Sequence, residues 1–158
     1  MDANDTALLR RLLDERPVAA LGTLHDGHPF VSMVPFVLPA DDTRLLIHVS
    51  ALAPHTRDMQ RHPRVSVRVP GGRTDCAAPQ ALPRVTLQAD AEPLPRDADD
   101  YPPARAAYLR RFPESAPIFD LGDFSIVALR PVSARLVAGF GRAGSLVGRM
   151  LEDWLRGS

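Results

Sequence analysis

Residues 50–57, Ser-Ala-Leu-Ala-Pro-His-Thr-Arg, carry the clearest chemistry in the sequence. They follow an apolar run and precede a polar one, which predicts the end of a strand and the first turn of a helix. Pro54 suits the first helical position, because its ring presets φ and its missing N–H would have no partner there. The amides of His55 and Thr56 would then point outward at the positive end of the helix dipole, a geometry that binds phosphate.

The side chains of the same stretch also fit an anion. Ser50 and Thr56 supply hydroxyl donors, and the Arg57 guanidinium can bind two phosphate oxygens at once. His55 could donate to a further oxygen. The alternative is an ordinary capped helix with a surface arginine, and this stretch alone leaves both interpretations open.

Other reactive residue types form no comparable group. His25 and His28 flank a turn without a third ligand nearby, so no metal site is predicted. His48, on a strand, is interpreted as a packed or hydrogen-bonded core residue. Cys76 has no basic or histidine neighbour that would make it a nucleophile. Without a Ser-His-Asp or paired-carboxylate pattern, no catalytic residue is identified.

Composition limits the classes of function. The 158 residues suit one domain covering the whole chain, and the 19 acidic residues balance the 19 basic ones, which argues against a nucleic-acid partner. Because the chain contains no lysine, any lysine-based mechanism, such as a lysine Schiff base, is excluded. The acidic first residues and the lack of a long apolar run predict a cytoplasmic protein with no membrane partner.

Hydrophobic periodicity predicts a mainly β, α+β fold. Short strands of this kind usually close into an antiparallel barrel, because closure removes exposed edges. In the segment 83–93, Val85, Leu87 and Ala89 share one face, and the other face, with Arg84, Thr86 and Gln88, is polar enough to line a site. About six strands are predicted, over residues 18–24, 29–37, 44–49, 64–69 and 83–93, followed by two further strands over 124–129 and 134–140 that are joined at 130–133. Helices are predicted before residue 16 and over 54–62, 97–112 and 146–155, with a loop over 70–79.

Several stretches together carry a family resemblance, in the order 20–24, 26–35, 50–57, 82–87, 122–124 and 139–143. They include Asp-Gly-His-Pro-Phe-Val-Ser-Met-Val-Pro and Gly-Phe-Gly-Arg-Ala. The chain thereby resembles the pyridoxamine 5'-phosphate oxidase-like FMN-binding split barrels, in particular the branch related to HugZ-type haem-utilisation proteins. Members of that branch have a haem-ligating histidine in a C-terminal region, whereas the last histidine here is His62.

The resemblance implies a six-stranded antiparallel split β-barrel with flanking helices, which forms a homodimer and holds FMN between its subunits. One group of residues would contact the flavin ring and another the phosphate. The residues implied at the ring are Ser32, Met33 and Val34, and those at the phosphate are Ser50, His55, Thr56 and Arg57. Arg84 lies where the family often has a polar or basic contact to the flavin, and Phe140 and Gly141 lie where the last strand approaches the cofactor.

The function that follows is an FMN-dependent oxidoreductase with an unknown small-molecule substrate. In such proteins the cofactor performs the chemistry, so side-chain acids and bases are dispensable. The alternative is a non-catalytic protein that binds flavin, haem or another tetrapyrrole. A third hypothesis is a barrel that binds no cofactor and serves as an interaction protein.

Overall fold

The computed structural model describes residues 1–72 and 78–157. Part of the predicted loop over 70–79, including Cys76, lies outside the described residues. No helix in these two ranges is long and apolar enough to cross a bilayer. The elements are α1 (Ala3–Glu15), β1 (Val18–His25), β2 (His28–Pro35), β3 (Leu45–Ser50), α2 (Pro54–Arg61), β4 (Arg64–Pro70), a 3-10 turn (Pro79–Ala81), β5 (Arg84–Leu94), α3 (Tyr101–Arg111), a 3-10 helix (Pro113–Asp120), β6 (Phe124–Gly139), β7 (Arg142–Val147) and α4 (Gly148–Leu155).

The strands form one antiparallel sheet that curls into a barrel. Six of them are hydrogen-bonded in the order β2-β1-β4-β5-β6-β3. Val37, just after β2, exchanges backbone hydrogen bonds of 3.0 and 2.8 Å with Leu46 of β3, so the two ends of this series meet. The predicted mainly β fold, an antiparallel split barrel with flanking helices, is confirmed.

The number of strands differs from the prediction, because the sheet has seven. Arg142–Val147 forms β7, which pairs with the second half of β6 through a turn where Gly141 has a φ of +74°. The predicted helix over 146–155 therefore begins two residues later, at Gly148. Apolar Leu146 fits either element, which is why periodicity placed it in the helix.

The predicted connection at 130–133 is part of one 16-residue strand, β6. Opposite β5 the register shifts, so that Gln88 faces Ser133 while Ala89 faces Pro131. Val132 is the extra residue of a bulge, and a bulge tolerates the missing N–H of the neighbouring proline.

Two hydrophobic clusters lie on opposite faces of the sheet. The larger fills the barrel, where α1 contributes Leu9 and Leu13 and α2 contributes Met59. The smaller lies outside β3 and β6, beneath α3 and the 3-10 helix. The helices thus cover one part of the outer face, while among the described residues no helix lines the groove on the outer face of β4, β5 and the second half of β6.

His48 belongs to the smaller cluster, as the sequence predicted for a packed core residue. Its side chain is buried, and its ring stacks on Phe119 with centroids 3.8 Å apart and planes 8° from parallel. Its Nε2 atom has no hydrogen-bond partner among the described residues. Burial, together with the nearby positive charge of Arg96, lowers the pKa of His48 to about 4, so the ring is neutral at pH 7.

We expect His48→Phe to reduce acid destabilisation. The unfolded chain takes up a proton on His48 near pH 6.5, whereas the folded protein takes it up only near pH 4. Protonation of His48 therefore costs the folded state nothing above pH 6.5, and it lowers the free energy of unfolding as the pH drops below that value. This one group should lower the free energy of unfolding by about 2 kcal/mol between pH 7 and pH 5. Urea unfolding at both pH values should show this difference in the native protein and in His62→Phe. The same pH dependence in His48→Phe would contradict the assignment.

Candidate functional site

Helix α2 lies along the β1–β2 hairpin and makes polar contacts with it at every third residue. The hairpin turns at Asp26 and Gly27, whose φ angles of +49° and +81° suit an Asp-Gly turn. His55, Asp58 and Arg61 lie one helical turn apart, so they share one face of α2. They contact, respectively, Ser32 on β2, the pair Thr23 and His25 on β1, and Asp26 in the turn.

Asp58 is the buried centre of these contacts, with only 1% of its surface exposed. It accepts hydrogen bonds of 2.9 Å from Thr23 Oγ1 and from His25 Nδ1. Burial by itself raises the pKa of the Asp58 carboxyl, but the hydrogen bonds from His25 and Thr23 outweigh burial and the net pKa is lowered. An ionised carboxylate only accepts, so His25 Nδ1 is assigned as the donor of this hydrogen bond.

The structure brings Ser50 and Thr56 together, but their hydroxyl protons are used within the protein. Ser50 Oγ donates to Asp123 Oδ2 at 2.6 Å, and Thr56 Oγ1 donates to the Ser50 carbonyl at 2.7 Å. The Leu52 amide, in turn, donates to Ser50 Oγ. A carboxylate therefore stands beside the predicted phosphate position, and an incoming phosphate would have to replace these bonds.

The remaining predicted contacts at β2 and α2 face different directions. Arg57 is exposed on α2, while His55 Nδ1 lies 3.1 Å from Ser32 Oγ. Burial lowers the pKa of His55, which favours its neutral form. On β2, Val34 packs inside the barrel, whereas 71% of Met33 is exposed on the outer face. Ser32 and His55 are thus neighbours, but Ser32, Met33 and Val34 do not share a surface.

The β6–β7 turn holds Phe140 and Gly141, and Phe140 is almost fully exposed, at 88%. Arg84, by contrast, lies in a groove of 710 Å³ on the outer face of β4 to β7, which we call the arginine groove. Its lining residues are Arg68, Arg84, Thr86, Gln88, Ser133, Ala134, Arg135, Val137, Ser145 and Val147.

Strand register assembles this groove from four separate segments. Arg68 pairs with Thr86, Thr86 with Arg135, and Arg135 with Ser145, so these four residues form one row across β4, β5, β6 and β7. Arg84 belongs to the neighbouring row, where it pairs with Val137. The alternating sequences of β4 and β5 predicted a polar outer face, but Arg68 and Arg135 were missed because pairing between strands distant in sequence is not visible in it.

The arginine groove is positively charged. None of the described acidic side chains lies within ion-pair distance of Arg68, Arg84 or Arg135. Arg84 donates instead to the carbonyls of Gln80 and Leu82, both at 3.0 Å. Since guanidinium groups bind carboxylates and phosphates in a forked geometry, the groove can hold an anionic ligand.

The outer face continues past the groove onto an apolar surface. Ala20 of β1 pairs with Arg68 on one side and with Met33 of β2 on the other, and Gly22 likewise lies between Ser66 and Val31. Met33 and Val31 are 71% and 67% exposed. We call these two residues the β2 apolar strip.

Comparison with known proteins places the chain in a family. The family model described as pyridoxamine 5'-phosphate oxidase matches residues 6–138. The haem oxygenase HutZ of Vibrio cholerae is 30% identical over 149 residues, which are 93% of this chain and 84% of that protein. The chloroplastic haem oxygenase HOZ of Arabidopsis thaliana is 35% identical over 122 residues, 75% of this chain but 35% of HOZ. The match thus spans about a third of the plant protein.

Solved structures agree with this assignment. A haem-binding protein from Mycobacterium smegmatis superposes with a TM-score of 0.81 at 29% identity, over 98% of this chain and 60% of that one. The crystal structure of HutZ, described as a haem storage protein, superposes with a TM-score of 0.72 at 26% identity, over 89% and 92% of the two chains. The predicted resemblance is confirmed, and the chain belongs to the pyridoxamine 5'-phosphate oxidase family, with relatives among its HutZ- and HugZ-type members.

Proposed function

We propose that this protein binds haem, and that the arginine groove holds it. The observation that carries the proposal is the arginine groove itself, where Arg68, Arg84 and Arg135 line one open cavity of 710 Å³. Relatives named as haem oxygenases, haem-binding and haem storage proteins support the choice of ligand.

The donor set of the groove fits the chemistry of haem. Haem is a flat, apolar macrocycle that carries two propionate carboxylates. Arginines suit the carboxylates, while Val137 and Val147 offer apolar contact to the macrocycle. The volume also lies within the usual range for small-molecule sites, about 300–1,000 Å³. Bound haem would supply redox chemistry, and the chain would hold and orient it.

FMN is the second candidate, at the start of α2. Arg57 is exposed there and faces no described acidic partner within ion-pair distance, and the His55 and Ser32 side chains lie nearby. Against this site stand the hydrogen bonds of Ser50 and Thr56 and the Asp123 carboxylate. An oxidoreductase activity would follow only if FMN displaced those bonds.

We also propose a homodimer in which the β2 apolar strip is buried. Val31 and Met33 lie on β2, at the end of the hydrogen-bonded strand series, and expose most of their side-chain surface. Exposed apolar residues on an edge strand are typical of surfaces that pair with another chain. The strip adjoins the arginine groove, so a second copy would lie beside the ligand.

The haem proposal predicts a loss of affinity when the arginine row is removed. An exposed ion pair contributes about 0.2–1 kcal/mol, so we expect Arg68→Ala with Arg135→Ala to weaken haem binding about tenfold. Absorbance titration with haem measures the dissociation constant. The control is Arg149→Ala, at an arginine on α4 whose side chain is 92% exposed, and it should bind haem like the native protein. Unchanged affinity in the double variant would place haem elsewhere.

The FMN alternative predicts a different sensitive residue. A hydrogen bond between charged groups contributes about 1.5–3 kcal/mol, so Arg57→Ala should weaken FMN binding at least about tenfold. Fluorescence titration measures this, with Arg61→Ala on the same helix as the control. If neither native protein nor control binds FMN, this candidate is excluded.

The proposed dimer predicts that a charged side chain placed in the β2 apolar strip weakens the association of the two chains. Met33→Asp should shift the protein to monomers in sedimentation velocity, because it places a carboxylate in the buried interface. Met150→Asp, at a residue of α4 that is 60% exposed, should leave the dimer intact. A native protein that sediments as a monomer would refute the dimer.

A further inference from the structure

A second, smaller cavity adjoins the arginine groove on the same outer face, and we call it the β1–β4 cavity. Its volume is about 310 Å³. Gln88 of β5 lines both cavities, so the two meet at its side chain. The other outward-facing side chains of the β1–β4 cavity include those of Leu24, Val31, Arg64 and Ser66, with Gly22 between them.

Strand register places the two cavities in successive rows of the sheet. Gln88 pairs with Ser66, and Ser66 pairs with Gly22, so these three residues form one row across β5, β4 and β1. Residues two positions apart in a strand face the same way, so this row lies about 7 Å from the row that contains Arg68 and Arg135. A flat ligand on the outer face can therefore contact both rows at once.

Uncompensated positive charge is confined to one end of this combined surface. The three arginines of the groove have no partner within ion-pair distance among the acidic side chains that the structure describes. In the β1–β4 cavity, by contrast, Arg64 donates to Asp90 at 2.6 Å, so its charge is compensated. The two ends of the surface thus suit different parts of a ligand.

The floor of the β1–β4 cavity is low and uncharged. Ser66 lies so close to Gly22 that a Cβ atom at Gly22 would collide with the Ser66 Oγ atom. At this position β1 therefore places no side chain above the sheet. Leu24 and Val31 add exposed apolar side chains beside the floor. This half of the surface offers apolar contact and neutral hydroxyl and amide groups to a ligand.

The described lining of the two cavities offers no side chain of the kind that ligates haem iron. It includes no histidine, cysteine, methionine or tyrosine, which are the residues that hold haem iron in proteins. Recognition by these residues therefore depends on the charged edge and the uncharged body of the ligand.

On the basis of the proposed haem function, we propose that this surface selects planar tetrapyrroles whose carboxylates all lie on one edge. That edge lies at the arginines of the groove, and the opposite edge lies over Ser66 and Gln88 in the β1–β4 cavity. Carboxylates on the opposite edge would lose water without gaining a cationic partner, which is unfavourable. Ser66 and Gln88 are thus specificity-determining residues, because they keep that half of the surface uncharged.

The first test compares three metal-free porphyrins by fluorescence titration of the native protein. Protoporphyrin IX and mesoporphyrin IX carry two propionates on one edge and differ only in the apolar groups opposite, so we expect similar dissociation constants. Coproporphyrin III has the same two propionates and two more on the opposite side. We expect it to bind about tenfold more weakly or worse. Equal affinity for coproporphyrin III would overturn the proposal.

The second test moves the charge. Ser66→Arg places a cation in the β1–β4 cavity, and it should reduce the preference for protoporphyrin IX over coproporphyrin III by about threefold. The matched control is Gln60→Arg, which adds the same charge at an exposed position of α2 and should leave the preference unchanged. Equal changes in the two variants would contradict the assignment of Ser66.

Haem itself serves as the reference ligand in both tests. If haem binds and metal-free protoporphyrin IX does not, recognition occurs through the metal, and the proposed selectivity is wrong while the haem function stands. If the native protein binds neither of the two, the proposed function itself fails, and the selectivity fails with it.

Discussion

The register of the antiparallel sheet is the constraint on which the candidate site depends. In β4 and β5 every second side chain enters the barrel, and the others form the outer face. Only with Thr86 opposite both Arg68 and Arg135 do the two arginines flank one position. A slip by one residue would turn the arginines into the core and the valines outward. Such a slip is strongly unfavourable, because it would bury unpaired charges and expose the apolar side chains of the core.

The flanking elements decide which part of the outer face stays open. Helix α3 and the 3-10 helix cover β3 and the first half of β6 with an aromatic cluster around His48. The bulge at Val132 separates that half from the second, where Arg135 and Val137 face the groove. Helix α2 covers the inner side of the hairpin and holds His25 through Asp58. The part of the outer face that stays open is therefore the arginine groove on β4 to β7.

Local patterns gave correct predictions where neighbours in sequence decide the structure. The Asp-Gly turn, the alternation of β4 and Pro54 at the start of α2 are of this kind. The seventh strand was missed because Leu146 suits a helix equally well. Contacts between residues distant in sequence could not be predicted. Asp58 and His25 are 33 positions apart, and Ser50 and Asp123, which form a hydrogen bond, are 73 positions apart. The charged groove likewise depends on pairing between strands, which one sequence does not display. The residues implied for FMN binding remain predictions.

Haem held in the proposed arginine groove would have its iron at a defined position, which can be measured. A crystal structure of the haem complex, with the iron located by anomalous scattering, would provide it. We expect the iron over the outer face of β4 to β6, with the propionates at Arg68 and Arg135. An iron beside Ser50 and Arg57, at the start of α2, would contradict it.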